Sequence, residues 1–423
     1  MTISVFTPIH RDDPVAFERL LNAFRSLQAQ LRKPDEWVVV LNGAAILAEL
    51  PADMRRCAWV KEIRSESAGN IGALKRQACS NATGDILVEL DYDDWLMPDA
   101  LELIESPFLN DPELAVVYSD ALELLPNGDS NLYLQLYGWS RRPEKIGGKN
   151  YLVNESFPPL PQYMRRIEWA PNHVRAFRAE KYREIEGHDF NIPVGDDHDL
   201  LCRFFIAFGE KAFKHIAKTL YVYNIHDDNT CNGRNRNAEI QRQVDLNYCR
   251  HAEKMYCRWA ADNKLLRLDL GGRIGCPEGY ESVDLLDADH IADLNKPWPF
   301  GDNVAGVIRA YHVLEHLDDP IHFFNEAYRV LAPGGFLLIE VPSVDGAGAF
   351  ADPTHKKYFN TMSFEYYTVQ RYARYIQPAY TGRFQKSRVV QYWWDNPKIP
   401  VISAQLIALK GWYDEAWCGM KEM

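Results

Sequence analysis

The sequence has no apolar run approaching the roughly 20 residues of a membrane-spanning helix. None of its eight cysteines falls in a CxxC pair or a zinc-ligand spacing. Neither a membrane span nor a disulfide or Cys-zinc framework is therefore expected, and the thiols read as reduced cysteines of a cytoplasmic protein. No basic leader is expected either, because Met1-Thr2-Ile3-Ser4-Val5-Phe6 enters a strand-like pattern at once. Positive charge is scarce: 47 Lys and Arg face 59 Asp and Glu, for a formal net charge of −12. That disfavours a surface coating nucleic acid, although Arg141, Arg142, Lys145, Lys149, Arg165 and Arg166 could line a local basic groove.

What is present describes a globular protein. At 423 residues, 47% hydrophobic and 25% charged, the chain is long enough for two domains. Ile3-Ser4-Val5-Phe6 reads as a strand stopped by Thr7-Pro8, and a helix follows from Pro14 with Phe17, Leu20, Leu21, Phe24 and Leu27 at helical spacing. A strand over 37–41 ends in Asn42-Gly43, a helix spans 74–81, and Ile86-Leu87-Val88 is a buried strand. This βαβαβ rhythm predicts a mostly parallel sheet that binds a nucleotide at its carboxyl edge. It has no GxGxxG fingerprint, so a diphosphate held there needs a metal.

The acidic residues cluster where that metal would sit. Asp91, Asp93 and Asp94 follow the strand end, and crowded hard oxygen donors suit Mg2+ or Mn2+. A solvated acidic turn capping the helix from Pro98 is the alternative. A second cluster, Gly195-Asp196-Asp197-His198-Asp199-Leu200, opens a helix; N-capping explains part of it, but three acids and a His exceed what a cap needs. The segment 132–161, mixing aromatics, Pro, Gly and cations without period, reads as loop or lid. Tyr221 to His226 is a last strand ending on a His.

Residues 1 to about 230 resemble the family 2 glycosyltransferases of the GT-A fold. The match runs in order through Ser4-Val5-Phe6-Thr7-Pro8, Gly72 to Gln77, Gly84 to Asp94, Asp196 to Leu200, and Tyr221 to His226. The resemblance implies an α/β nucleotide-diphosphosugar transferase, with a UDP-sugar donor and a hydroxyl acceptor. Thr7 and Pro8 would line the uracil pocket, and Asn42 stands where the family often has a base-reading Asp. Asp91 would contact ribose or metal, Asp93 would ligate the metal, and His226 would complete the metal site or touch the diphosphate. Asp197, the second acid of its pair, matches the general base, and Lys75 and Arg76 would assist the leaving group. Direct displacement would invert the anomeric centre.

The second half restarts the rhythm. Strands are expected at 265–270, 282–285, 304–308 and 336–342, with a helix over 323–331 between the last two. Residues 263 to about 370 resemble class I methyltransferases that use S-adenosylmethionine, on Tyr311 to Leu317, Val330 to Gly335 and Asp352 to Phe359. The resemblance places Asp269 and Gly271 in the cofactor loop, Asp284 on the ribose and Asp293 beside the adenine. The loop departs from the family's D-x-G-x-G-x-G, because Arg273 stands where the middle Gly lets the backbone approach the cofactor. An active methyltransferase and a degenerate Rossmann-like domain kept for binding or assembly both fit.

The expected organisation is a GT-A domain over 1–235, a helical linker over 236–262, a methyltransferase-like domain over 263–390 and a tail over 391–423 packing on the domains. The leading function is metal-dependent, inverting sugar transfer. A bifunctional glycosyltransferase and methyltransferase, or a non-catalytic nucleotide-sugar adaptor, are the alternatives. The acceptor is left open among a glycan, a lipid-linked glycan, a protein and a modified DNA base.

Overall fold

The computed structural model describes residues 1–66, 70–135, 138–164, 171–229, 236–394 and 399–411. The chain divides into two units, one of 1–134 with 139–252, the other of 253–423 with 135–138. The helix Asn237–Asp262 runs through the division at 252. Among the described residues, no helix is long and apolar enough to cross a membrane.

The first unit contributes β1 (Ile3–Ile9), β2 (Glu36–Asn42), β3 (Val60–Ser65), β4 (Ile86–Glu89), β5 (Trp95–Leu96) and β6 (Val116–Leu124). After them come β7 (Arg141–Ile146), β8 (Lys149–Asn154), β9 (Arg175–Arg178) and β10 (Phe213–Asn224). Eight of these form one sheet in the order β3-β2-β1-β4-β9-β6-β10-β5. It is parallel except at β9, which runs antiparallel to both β4 and β6, and at β5. β1 does not stop at Thr7-Pro8. It continues to Ile9 against β2, while its pairing with β4 ends at Phe6, so Pro8 sits where no donor is needed on the β4 side. The segment 132–161 is likewise more ordered than a loop, since β7 and β8 pair as an antiparallel hairpin across Gly147-Gly148.

Two helices fix the sheet's site-bearing edge. Pro14–Gln28 starts on Asp13, whose carboxylate accepts from Ala16 N, and buries Ala16, Leu20, Ala23, Phe24 and Leu27. Ile71–Asn81 starts on Asn70, which caps Ala73 N. Its Gly72 is there for space: a Cβ would lie 2.7 Å from Asp189 O and 2.8 Å from Ile192 O. That close approach sets Lys75, one turn on, beside the end of β4.

The second unit holds β11 (Leu266–Leu270), β12 (Glu281–Asp284), β13 (His290–Ile291), β14 (Ala305–Tyr311), β15 (Leu331–Pro342), β16 (Phe384–Trp393) and β17 (Pro400–Ala408), in the order β13-β12-β11-β14-β15-β17-β16. The first five are parallel and the last two are antiparallel additions. Residues 400–408, expected in a tail, are instead a strand hydrogen-bonded on both sides within this sheet. The reason is their apolar character: Val401 and Ile407 are buried, and Ile402, Ala404, Leu406 and Ala408 join the second core. Tyr392 and Trp393 belong to the edge strand β16, with Tyr392 hydrogen-bonded to Glu340.

Candidate functional site

The acidic stretch leaves the middle of the first sheet. β4 is buried along its length between β1 and β9, and Leu90 to Asp94 follow its last residue. A cavity of about 800 Å³ opens there, lined among others by Pro8, Asn42, Lys75, Asp91, Asp93, His173, Arg175, Asp196 and Asp197.

The three acids of the stretch have separate environments. Asp94 is fully buried and accepts from Tyr221 OH at 2.8 Å and Asn224 N at 2.7 Å, so it braces the turn against β10. Burial, with Asp93 and Asp91 close by, holds its pKa well above the usual carboxylate range. Burial also raises Asp91, to about 7, with Lys75 opposing and Glu89 and Asp93 adding repulsion. Asp93 lies 2.9 Å from His226, Oδ2 to Nε2. His226 Nδ1 accepts the Asp228 N–H at 3.1 Å, so the ring proton sits on Nε2 and points at Asp93. In this geometry the His226 imidazole stands directly against Asp93.

The second acid pair is brought to the same cavity. Gly195, at φ +66°, turns the chain into the helix Asp196–Phe208. Asp197 accepts from His198 N at 2.8 Å and from Arg175 Nη1 at 2.7 Å. Its side chain is 26% exposed. Burial pushes its pKa up, but the Arg175 guanidinium, with Lys75, pulls it down to about 2. Asp196 is raised to about 6 by burial against the pull of Lys75, whose Nζ is 3.5 Å away. Glu89 connects the halves: it pairs with Lys75 and, at 2.9 Å, with Arg175 Nε. Burial opposes its charge, and the two cations hold its pKa well below the ordinary range. His198 and Asp199 turn away into structural bonds, to Met164 O and to Arg203 and His251.

Some expected residues are elsewhere. Thr7 is fully buried, donates to Leu90 O at 2.6 Å and accepts from Trp37 Nε1, so it braces β1 rather than lining the cavity. Arg76 faces His188 O at 3.4 Å and covers the Phe190 ring; the helix turn that inserts Lys75 points its neighbour away. Of the cations expected in a basic groove, Arg142 pairs with Asp120 and Glu144, Lys149 pairs with Asp129, and Arg141 donates to Tyr133 O. Arg165 and Arg166 lie outside the described residues. Glu89, His173 and Arg175 were not singled out from the sequence. An Arg inside the apolar run Val174-Arg175-Ala176-Phe177 was the available signal, since a buried guanidinium needs an acid partner. His173 accepts from Arg175 through Nε2 at 3.1 Å, leaving Nδ1–H buried without a partner. Asn42 is similar: Nδ2 donates to Ile9 O at 2.9 Å, and Oδ1 is buried and unpartnered.

In the second unit, Asp269 and Gly271 come to the switch point between β11 and β14. Asp269 is buried and accepts from Arg309 at 3.0 Å, and Gly271, at φ +74°, packs on Val313. Asp284 ends β12 and accepts from Leu285 N, while Asp293 caps Asn295 N and pairs with Lys296. Arg273 extends to Asp287, 3.5 Å away, with nearly half its side chain exposed.

Residues 4–169 match the family model described as glycosyl transferase family 2, and residues 279–339 that described as methyltransferase domain. One chain thus carries a glycosyl transferase family 2 match in its N-terminal part and a methyltransferase-domain match in its C-terminal part. Chondroitin synthase of Pasteurella multocida (strain Pm70) and hyaluronan synthase of Pasteurella multocida are each 29% identical over 169 residues, 40% of this chain and 15% of theirs. The O-antigen biosynthesis protein RfbC of Myxococcus xanthus is 24% identical over 223 residues, 52% of this chain and 15% of its own. The chain therefore spans a small part of these relatives. Among solved structures, S. aureus TarS 1-349 in complex with UDP-GlcNAc is similar at a TM-score of 0.42 and 13% identity, over 62% of this chain and 72% of that one.

Proposed function

We propose that the N-terminal unit transfers a sugar from a UDP-sugar to an acceptor hydroxyl, with inversion at the anomeric carbon. One observation carries this reading: Asp91, Asp93 and Asp197 line a single cavity, with a buried unpartnered acceptor, Asn42 Oδ1, in the same lining. Asn42 Oδ1 is suited to the N3–H of uracil, which cytosine lacks. The relatives named for chondroitin and hyaluronan synthesis favour a glycan hydroxyl as acceptor.

The donor set fits a divalent cation such as Mn2+ or Mg2+, since Asp91 and the Oδ1 of Asp93 are hard oxygen donors and His226 fixes the other oxygen of Asp93. Such an ion, when bound, would neutralise charge on the departing diphosphate. The chain's own part is at the acceptor. The hydroxyl oxygen bonds to the anomeric carbon, the carbon–oxygen bond to the diphosphate breaks, UDP leaves, and the hydroxyl proton passes to the Asp197 carboxylate. Arg175 keeps that carboxylate ionised and aimed. S-adenosylmethionine is the cofactor to test at the second unit, by calorimetric titration.

UDP release from a panel of UDP-sugars with Mn2+ tests the reading. Asp93→Ala and Asp197→Asn should each lose about 100-fold or more in rate while the far-UV circular dichroism is kept. Full activity in either variant sinks the site assignment.

A further inference from the structure

Past the end of β14, on the sheet edge where open α/β folds bind ligands, the short turn Leu314–His316 carries an unsatisfied acid. Glu315 is 2% exposed, and neither carboxylate oxygen has a hydrogen-bond partner. Its ion pair among the described residues is with His312, 3.4 Å from Oε1, and that imidazole is shared with Glu340 at 3.2 Å. Buried carboxylates are ordinarily hydrogen-bonded, paired or bound to a metal.

Two more imidazoles adjoin it. One ligand-capable atom from each of Glu315, His316 and His355 lies within 4.8 Å of the others. The backbone holds the group together, because Glu315 O accepts from Lys356 N at 2.7 Å and Lys357 N at 3.0 Å. Both rings have Nδ1 committed as a donor. His355 Nδ1 donates to Ala349 O at 2.8 Å. Thr354 Oγ1 gives its one proton to Asp352 at 2.6 Å, so at 3.0 Å it can only accept from His316 Nδ1. Each ring is left with Nε2 and its lone pair to offer, the tautomer that metal-binding histidines adopt when an outer partner holds Nδ1–H. His355 Nε2 is also 3.9 Å from Asp352 Oδ2, a half-exposed carboxylate available as a further donor. Edge-on packing of the two rings, with centroids 4.9 Å apart, accounts for the imidazoles, whereas the buried Glu315 carboxylate has His312 at Oε1 and no partner at Oε2.

We propose that Glu315, His316 and His355 form a binding site for a divalent transition metal of the zinc class. Two imidazoles and a carboxylate suit zinc and its neighbours and are a poor set for Mg2+ or Ca2+. Three protein ligands leave a coordination position for water or a substrate oxygen.

Titrating the full chain with Co2+, after chelator treatment, tests this without relying on catalysis. The wild type should develop visible d–d absorption that saturates at one equivalent and is displaced by Zn2+. His355→Ala and the near-isosteric Glu315→Gln should weaken that binding by at least about 100-fold, whereas Asp93→Ala should keep it. No such absorption in the wild type, or unchanged titration in Glu315→Gln, overturns the site. Loss in Asp93→Ala with retention in His355→Ala would assign the bound ion to the first unit and overturn it equally.

Discussion

Arg175 Nη1 lies 2.7 Å from Asp197 Oδ2, so a guanidinium on β9 sets the charge state of an acid at the start of the helix Asp196–Phe208. Replacing Arg175 with Gln removes the cation that holds Asp197 near 2, and the carboxylate rises toward its ordinary range. The acidic limb of the pH–rate profile should therefore move to higher pH, and kcat should fall about 10- to 100-fold with little change in KM for the donor. Arg175→Lys should restore part of both. A profile whose acidic limb stays where it was would remove Arg175 from its positioning role.

Asn42 offers the cavity an unpartnered acceptor, Oδ1, while its Nδ2 is bonded to Ile9 O. UDP should bind at least about 100-fold more tightly than CDP, because a polar site left unpaired rejects the wrong partner strongly. Asn42→Ala should erase most of that preference and raise KM for the UDP-sugar, leaving kcat nearly unchanged. Calorimetry with the two nucleotides decides the point.

His188 is buried, bonded through Nδ1 to Tyr182 OH at 2.7 Å, and pushed down to about 3 by burial and by Lys75. It stays neutral in the fold, while an unfolded chain protonates it near the ordinary histidine value of 6.5. Its contribution to stability is therefore whole above 6.5 and is lost as pH falls toward 3. Asp196, raised to about 6, acts in the opposite sense, so the comparison must be with His188→Gln. The stability advantage of the wild type over that variant should shrink from pH 7 to pH 5 in urea titrations; a constant gap contradicts the assignment.

Gly72→Ala tests the packing that delivers Lys75. The added Cβ meets two backbone carbonyls at 2.7 and 2.8 Å, which cannot rotate away as a side chain would. A loss of about 1–3 kcal/mol in unfolding free energy is expected, with sugar transfer reduced beyond what the lost stability explains. Wild-type stability in the variant would show that the helix has slack.

The sheets and their strand ends were legible because buried parallel strands such as 37–41 and 86–88 are apolar runs bounded by turn residues. The acids at those ends were legible for the same reason. Glu89 and Arg175 were not, since a charge inside an apolar strand looks like an irregularity until its partner, 86 positions away, is known. Thr7 misled in the other direction: the resemblance implies pocket lining, but its hydroxyl is consumed by Leu90 O and Trp37. Strand 400–408 went unread because its partner β15 precedes it by about 60 residues and nothing local marks the pairing.

The stretch that matches the glycosyltransferase family ends at residue 169, yet β9, Arg175 and the Asp196-Asp197 pair all follow it. A fragment cut at that boundary would split the sheet between β4 and β6 and leave Glu89 with Lys75 as its one counter-charge. The centre of the sheet therefore closes only when β9 pairs with β4, about 90 residues earlier in the chain, and a pairing of such high contact order is expected to form late and slowly in folding. During synthesis the half-built sheet would wait, with two strand edges open, for the β9 segment to emerge.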